Sequence, residues 1–339
     1  MLFRSVPATI HVERRRVEER PASAASVYGN GLIDFTRLHA RFHPYYELSG
    51  AAQVAAVERC LERQPDWIFA HQLDAMCPLL LTRKPLPPIF FDLNDVEHKA
   101  LATRIKVPPH WRLKPLLYLQ VPSLWRGERR TVRLARRTFV CSESDRDYLV
   151  RSFGVGTARV LPNSTEVPIG RLPDASSAPT IGFIGTFWYT PNVDAGNLLM
   201  ESIWPRVKQA MPNARLLIAG GGPEHLDAFR KSPADVRFSG FVPDIADFYR
   251  QVDVVCCPIR AGGGTRIKII EAAAYGRPVV STVFGASGLE FENERSILLR
   301  DDPAAMAAAC VQLLTDGALR QRLAGAARTI VEHHYDRRA

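Results

Sequence analysis

Residues 252–281 read VDVVCCPIRAGGGTRIKIIEAAAYGRPVVS. Val252–Cys256 is an apolar run of strand length, and Pro258 just beyond it cannot donate to a sheet ladder. Three glycines, Gly262, Gly263 and Gly264, come next; they permit positive φ and close approach of a ligand to the backbone. The pattern then predicts a helix from Arg266 to Tyr275 and a second short strand at Pro278–Ser281. Strand, glycine loop, helix, strand is the repeating unit of a parallel α/β sheet. The first amides of such a helix lack intrahelical partners and point at whatever occupies the loop, which favours an anion. Arg266 and Lys268 fall in the first turn, where positive charge opposes the helix dipole unless something negative binds. A diphosphate is the simplest such partner. Glu271, one turn further on about the same face as Lys268, is placed to accept from ribose hydroxyls. The plainer alternative is a Lys268–Glu271 surface ion pair, worth ~0.2–0.5 kcal/mol, on a helix whose glycines only make a turn.

The same alternation extends in both directions. Strand Thr180–Ile184 precedes a helix from about Asp194 to Ala210, and strand Arg215–Ala219 meets Gly220–Gly222 and a helix. Strand Val236–Phe238 leads to a helix over Ile245–Arg250, and strand Ile297–Leu299 precedes two C-terminal helices. Upstream, Ala51–Arg63 reads as an amphipathic helix, Asp66–Ala70 as a strand followed by His71, and Pro88–Asp92 as another strand. Thr138–Cys141 is a further strand, with Ser142 a natural N-cap for a helix over Glu143–Ser152. Val160–Leu161 gives way to the Pro/Ser-rich stretch PNSTEVPIGRLPDASSAP, which reads as a linker. Residues 1–50 show no clear period. The expected architecture is α/β: two Rossmann-like domains with parallel sheets facing a cleft. Their expected limits are 1–165 for an apparently shortened N-terminal domain, 166–178 for the linker and 179–339 for the C-terminal domain.

A chain of 339 residues has room for two such domains. Its net charge of +9 is uneven: residues 1–170 hold 25 Lys and Arg against 17 Asp and Glu (+8), and the rest holds 19 against 18 (+1). An excess confined to one half points to an anionic partner, or simply to Arg-rich solvated faces. No apolar run reaches the ~18 residues needed to cross a bilayer. The first residues, MLFRSVPATIHVERRR, lack the apolar core of a secretory signal. Six scattered cysteines, mostly in apolar runs, read as buried free thiols of a reducing cytoplasm, and no Cys/His spacing predicts a metal site.

Other motifs carry less. Gly220–Gly222 followed by Pro223 lacks the third glycine of a dinucleotide fingerprint. Asp145-Arg146-Asp147 spells the DxD of metal-dependent transferases, but inside a surface helix it reads as solvated charge. His333 and His334 have no third ligand in sequence. Trp111–Arg130 interleaves Leu and Trp with Arg and Lys, so it reads either as a basic amphipathic segment for an anionic bilayer or as an ordinary packing helix broken by Pro115 and Pro122. No recognition motif supports nucleic-acid binding.

The segments 182–199 (GFIGTFWYTPNVDAGNLL), 216–223 (LLIAGGGP), 238–249 (FSGFVPDIADFY), the glycine-loop stretch and 301–316 (DDPAAMAAACVQLLTD) together resemble the donor domain of family 4 glycosyltransferases. The variant with TPN after the first strand is most similar to sugar transferases of exopolysaccharide clusters. The likeness continues more weakly through FDLNDVEHKA (91–100), ERRTVRLARRTFVCSESDRDYL (128–149) and LPNSTEV (161–167). It implies the GT-B fold, a nucleotide sugar in the C-terminal domain, a saccharide or lipid-linked acceptor in the other, no metal or cofactor, and retention at the anomeric carbon. By the same resemblance Glu271 binds the nucleotide ribose, and Gly263 to Thr265, with Gly262, form the loop meeting diphosphate and sugar. Gly240, Phe241 and Val242 belong to the turn whose backbone reads the base, Gly185 ends the first donor-domain strand, and His71 lies near the reacting sugar. His71 also reads as an ordinary strand-end histidine.

The sequence departs from the family at several points. Gly263 stands where an acidic residue eight positions before Glu271 is usual, Thr186 follows Gly185 where a basic pair is common, and both ends look short. Arg266 and Lys268 are therefore expected to carry the phosphate charge. The leading expectation is a glycosyltransferase held in the cytoplasm or peripherally on the membrane's inner face. The alternatives are a nucleotide-sugar-binding subunit without catalysis and a sugar-nucleotide epimerase.

Overall fold

The computed structural model describes residues 51–110, 112–170, 178–229 and 235–338. Trp111, most of the expected linker and all of residues 1–50 lie outside it. In chain order come α1 (Ala51–Leu61), β1 (Ile68–His71), α2 (Gln72–Leu81), β2 (Ile89–Asn94), α3 (Glu97–Lys106), a 3-10 segment (Lys114–Gln120) and α4 (Val121–Leu134). They are followed by β3 (Arg137–Val140), α5 (Glu143–Phe153) and β4 (Ala158–Val160). The second half holds β5 (Thr180–Ile184), α6 (Thr190–Leu198), α7 (Trp204–Ala210), β6 (Arg215–Ala219), β7 (Val236–Gly240), α8 (Ile245–Tyr249) and β8 (Val254–Cys257). It ends with α9 (Ile267–Ala274), β9 (Val279–Ser281), β10 (Leu298–Leu299), α10 (Pro303–Thr315) and α11 (Gly317–His334).

Two parallel sheets of four and six strands result, and the chain divides into two compact units. The smaller unit holds residues 51–93 and 116–138; the larger holds 94–115 and 139–338. Segments 94–115 and 139–165 thus belong to the same compact unit as the C-terminal half. In the smaller unit β1 pairs with β2 from Ile68↔Ile89 to His71↔Asp92. Leu124 and Val132 of α4 are buried, so this part of the basic stretch does pack as an ordinary helix.

The six strands of the larger unit run in the order β10-β9-β8-β5-β6-β7, every neighbouring pair parallel. All four residues of β8 are buried, as expected of a strand covered on both faces. From β5 the chain builds outward through β6 and β7, then crosses back to add β8, β9 and β10 on the other side. Such a reversal leaves a crevice beyond the carboxyl ends of the two strands where it occurs, here β5 and β8. Gly185 ends the one, and the glycine loop follows the other.

Two local expectations change. The single helix expected from Asp194 to Ala210 starts earlier, at Thr190, and a π segment at Leu199–Ile203 separates α6 from α7. Pro205 lacks the N–H that would continue the α ladder, and the π register absorbs the break. The helix expected after Gly222 is only a 3-10 turn at Pro223–His225. Ser142 does cap α5, accepting from the Asp145 amide at 3.2 Å. Asp145 itself is not solvated: it is 7% exposed, accepts from Ser142 Oγ at 2.9 Å and takes an ion pair from Lys99 at 2.8 Å. Position N3 of a capped helix turns back toward its cap, which draws this carboxylate inward; Asp147 remains outside.

Candidate donor-binding site

A cleft of about 600 Å³ opens at the reversal point of the larger sheet. Its volume is in the range typical of small-molecule sites. It brings together Gly185, Phe241, Val242, Gly262, Gly263, Thr265, Arg266, Lys268 and Glu271 from the sequence-based set. Gly264 lines a smaller adjoining pocket of about 110 Å³. Gly240 stands behind the cleft: its carbonyl accepts from the Gly220 amide at 2.7 Å and ties the ends of β6 and β7 together. His71 belongs to the smaller unit, exposed at the end of β1, with Nδ1 2.8 Å from Asp92 Oδ2 on β2. That carboxylate fixes the ring's orientation, and sequence reading had not paired the two.

The glycine loop is held from several sides. Thr103 Oγ1 on α3 accepts from the Gly262 amide at 2.9 Å, so this N–H is already committed within the protein. Asn163 Nδ2 donates to Thr265 Oγ1 at 2.8 Å. Arg260 grips Asp194 with two bonds, Nη2–Oδ1 2.6 Å and Nε–Oδ2 3.1 Å, fastening the start of the loop to α6. The Asp194 side chain is nearly inaccessible, and a bidentate guanidinium partner makes its burial tolerable.

The two cations expected to meet phosphate behave differently. Arg266 is the N-cap of α9 and not a first-turn residue. Its guanidinium donates to the carbonyls of Gly263, Gly264 and Phe284 and lies 4.7 Å from the Phe284 ring centre. Although it lines the cleft, Arg266 therefore also braces the loop from within. Lys268 reaches back across the sheet to the end of β5, where Nζ donates to Asn192 Oδ1 at 2.8 Å and sits 4.4 Å from the Phe183 ring centre. A Cβ on Gly185 would stand 2.9 Å from this amino group and 2.8 Å from Asn192 Cγ, so a larger residue there would displace both side chains. Burial lowers the Lys268 pKa to about 8, Cys257 and Glu271 offsetting part of the effect and Arg266 adding to it. Its amino group thus stands where the sequence lacks a basic residue after β5.

Glu271 follows on the same helix, and Tyr249 Oη, fully buried, donates toward its Oε2 at 3.4 Å. Burial raises the Glu271 pKa, with the tyrosine hydrogen bond and Lys268 opposing. The surface ion pair considered as an alternative is not what forms: Lys268 donates to Asn192, and Glu271 receives Tyr249. Phe241, 78% exposed, marks the cleft's outer rim. Asn94, Asp95, Asn163, Tyr189 and Asn192 also line the cleft and were not singled out from sequence. The signals available were the TPN and LPN tripeptides that contain the two later asparagines. Among the described residues no three His, Cys, Asp or Glu side chains converge as metal ligands. The described cysteines are all free, five buried and Cys60 exposed, so the expectation of burial fails only at Cys60, on the outer face of α1.

A glycine loop, a helix start, a recessed lysine and a half-buried glutamate thus meet at the switch point of a parallel sheet, the place where open α/β sheets bind ligands. Two family models match, "Glycosyltransferase Family 4" over residues 10–167 and "Glycosyl transferases group 1" over 178–316. The chain belongs to the family 4 glycosyltransferases and has the GT-B fold. It is 28% identical over 187 residues to a phosphatidyl-myo-inositol mannosyltransferase of Mycobacterium leprae, covering 51% of this chain and 49% of the relative. It is 27% identical over 219 residues to a glycogen synthase of Mycobacterium tuberculosis, covering 60% and 52%. The chain thus spans about half the length of these curated relatives. In structure it resembles Anabaena HepE in complex with UDP-glucose, with a TM-score of 0.61, 17% identity and coverage of 84% and 78%.

Proposed function

We propose that the protein transfers a sugar, with retention, from a nucleotide diphosphate to a saccharide or lipid-linked saccharide in cell-surface or exopolysaccharide synthesis. The observation that carries the reading is Lys268 Nζ held at the end of β5, in the cleft that the glycine loop also lines, with Glu271 one turn beyond. In this reading the anomeric C–O bond breaks with its electron pair passing to the diphosphate oxygen. Lys268, the α9 amides and Arg266 stabilise the charge that grows there. Glu271 accepts from the ribose hydroxyls, and the exposed Phe241 ring at the turn after β7 offers the base an apolar face. The acceptor oxygen forms the new bond as its proton passes to the departing diphosphate oxygen, and His71, oriented by Asp92, takes part in positioning it. No metal or cofactor enters this scheme. The basic excess of residues 1–170 serves a peripheral contact with the cytoplasmic face of an anionic membrane.

Calorimetric titration with UDP, GDP and ADP tests the donor site. One of the three is expected to bind selectively, and Glu271→Ala is expected to weaken it by about tenfold or more, the size of a lost charge-assisted hydrogen bond. An unchanged dissociation constant in that variant removes the assignment of Glu271. Donor turnover then separates transfer from mere binding.

A further inference from the structure

Two carboxylates line the cleft, Glu271 and Asp95, and the scheme above uses only the first. Asp95 follows β2, in the larger unit. The strand ends on Asn94 with φ 59, a left-handed conformation that asparagine tolerates and that turns the chain sharply before Asp95. The Asn94 carbonyl is held in place by Cys141 Sγ at 3.3 Å. Asp95 then packs closely against the glycine loop. A Cβ on Gly263 would stand 3.0 Å from both Asp95 Cβ and Cγ, and one on Gly264 would overlap Asp95 Oδ1 outright. The glycines at 263 and 264 are therefore the complement of this side chain. A side chain at 263 would have to push Asp95 aside, because a carboxylate from elsewhere in the fold already occupies the space beside it.

We infer that Asp95 binds hydroxyls of the sugar carried by the donor and selects among sugars by them; this rests on the donor-site reading above. A carboxylate is poorly suited to a diphosphate, which it repels, and well suited to a neutral polyol, whose O–H groups it accepts on two oxygens. Of the charged side chains lining the cleft, Arg266 and Lys268 suit phosphate oxygens, whereas Asp95, packed against Gly263 and Gly264, offers a charged acceptor to a sugar's hydroxyl protons. A purely bracing role, with Asp95 only holding the loop near Arg266, predicts a different pattern of effects, and the test separates them.

The test is titration of the whole chain and of Asp95→Asn with UDP, GDP and ADP. The glucose, galactose and mannose conjugates of whichever base binds follow. The substitution keeps shape and removes charge. Asp95→Ser serves as a second variant, one that removes the carboxyl oxygens, including the one packed against Gly264. Expected in both is a nucleoside diphosphate affinity held within about threefold, nucleotide-sugar affinity lowered about tenfold, and a flattened preference among the three sugars. Equal loss for diphosphate and conjugate would mean that Asp95 only braces the loop, and unchanged binding of both would mean that it does nothing for the donor; either overturns the inference. If the unaltered protein binds none of the diphosphates, the donor-site reading itself falls, and this inference with it. Diphosphate binding that persists in the variants alongside wild-type sugar preference removes the Asp95 assignment alone.

Discussion

Lys268 carries a charge that its surroundings disfavour. Burial brings its pKa to about 8 against an ordinary 10.5, so in the free protein at neutral pH it is still mostly protonated. A bound diphosphate favours the charged form and raises that pKa. Above pH 8 the free protein has lost the proton that the complex retains, so diphosphate affinity should fall, by up to about tenfold per pH unit. Titrations between about pH 6.5 and 9.5 check this, and Lys268→Met should abolish the slope along with tight binding. Stability has the opposite sign. The unfolded chain holds its proton up to 10.5 while the fold releases it near 8, so unfolding becomes harder as pH rises through that window. Below pH 8 the buried charge is a standing cost, and Lys268→Met should melt no lower than the unaltered protein. A lower Tm would show that the Asn192 hydrogen bond outweighs desolvation.

At the scale of elements, the functional loop is set by neighbours distant in sequence. Thr103 on α3 satisfies the Gly262 amide, Asn163 holds Thr265, and the Asp194–Arg260 pair anchors the loop's base to α6. A loop of three glycines has high conformational entropy to lose, so these contacts decide whether it is ordered before a ligand arrives. Thr103→Val keeps the shape and removes the acceptor, leaving a half-buried amide without its partner. The expected cost is about 1–3 kcal/mol of local stability. It should be read as faster hydrogen exchange at residues 262–265 and a several-fold loss of diphosphate affinity, with the global transition little changed. Unaltered exchange at the loop would mean that the Thr103 contact does not order it.

On the scale of the whole molecule, charge and apolar surface are unevenly spread. Residues 1–170 carry +8 of the net +9, and Leu116, Tyr118 and Leu134 are exposed around the basic helix α4. No helix among the described residues is long and apolar enough to cross a membrane. If the basic half meets lipid, the full chain should sediment with phosphatidylglycerol vesicles, ignore phosphatidylcholine vesicles, and be released by about 0.5 M salt, where exposed charges are screened beyond ~4 Å. Equal recovery with both lipids would confine the excess charge to ordinary solvation.

What the sequence determined by itself is what short-range periodicity encodes. Apolar runs of strand length alternating with helical segments gave β5 and β6 with their bounds and the remaining described strands, β4 excepted, to within two residues. The glycine loop with Lys268 and Glu271 marked the ligand site, because close backbone approach and one-turn spacing are properties of contiguous residues. The tertiary structure alone decided how those residues are used. Arg266 turned inward because three carbonyls face it, and Asp145 was buried because Lys99 meets it from another helix. Asp95 reached the loop because β2 ends beside it. Arg266 owes one of its three carbonyls to Phe284, 18 positions away, Asp145 meets a lysine 46 positions away, and Asp95 reaches a loop about 170 positions on. Such pairings are fixed by the packing of the strands and leave no mark on the pattern of either segment alone.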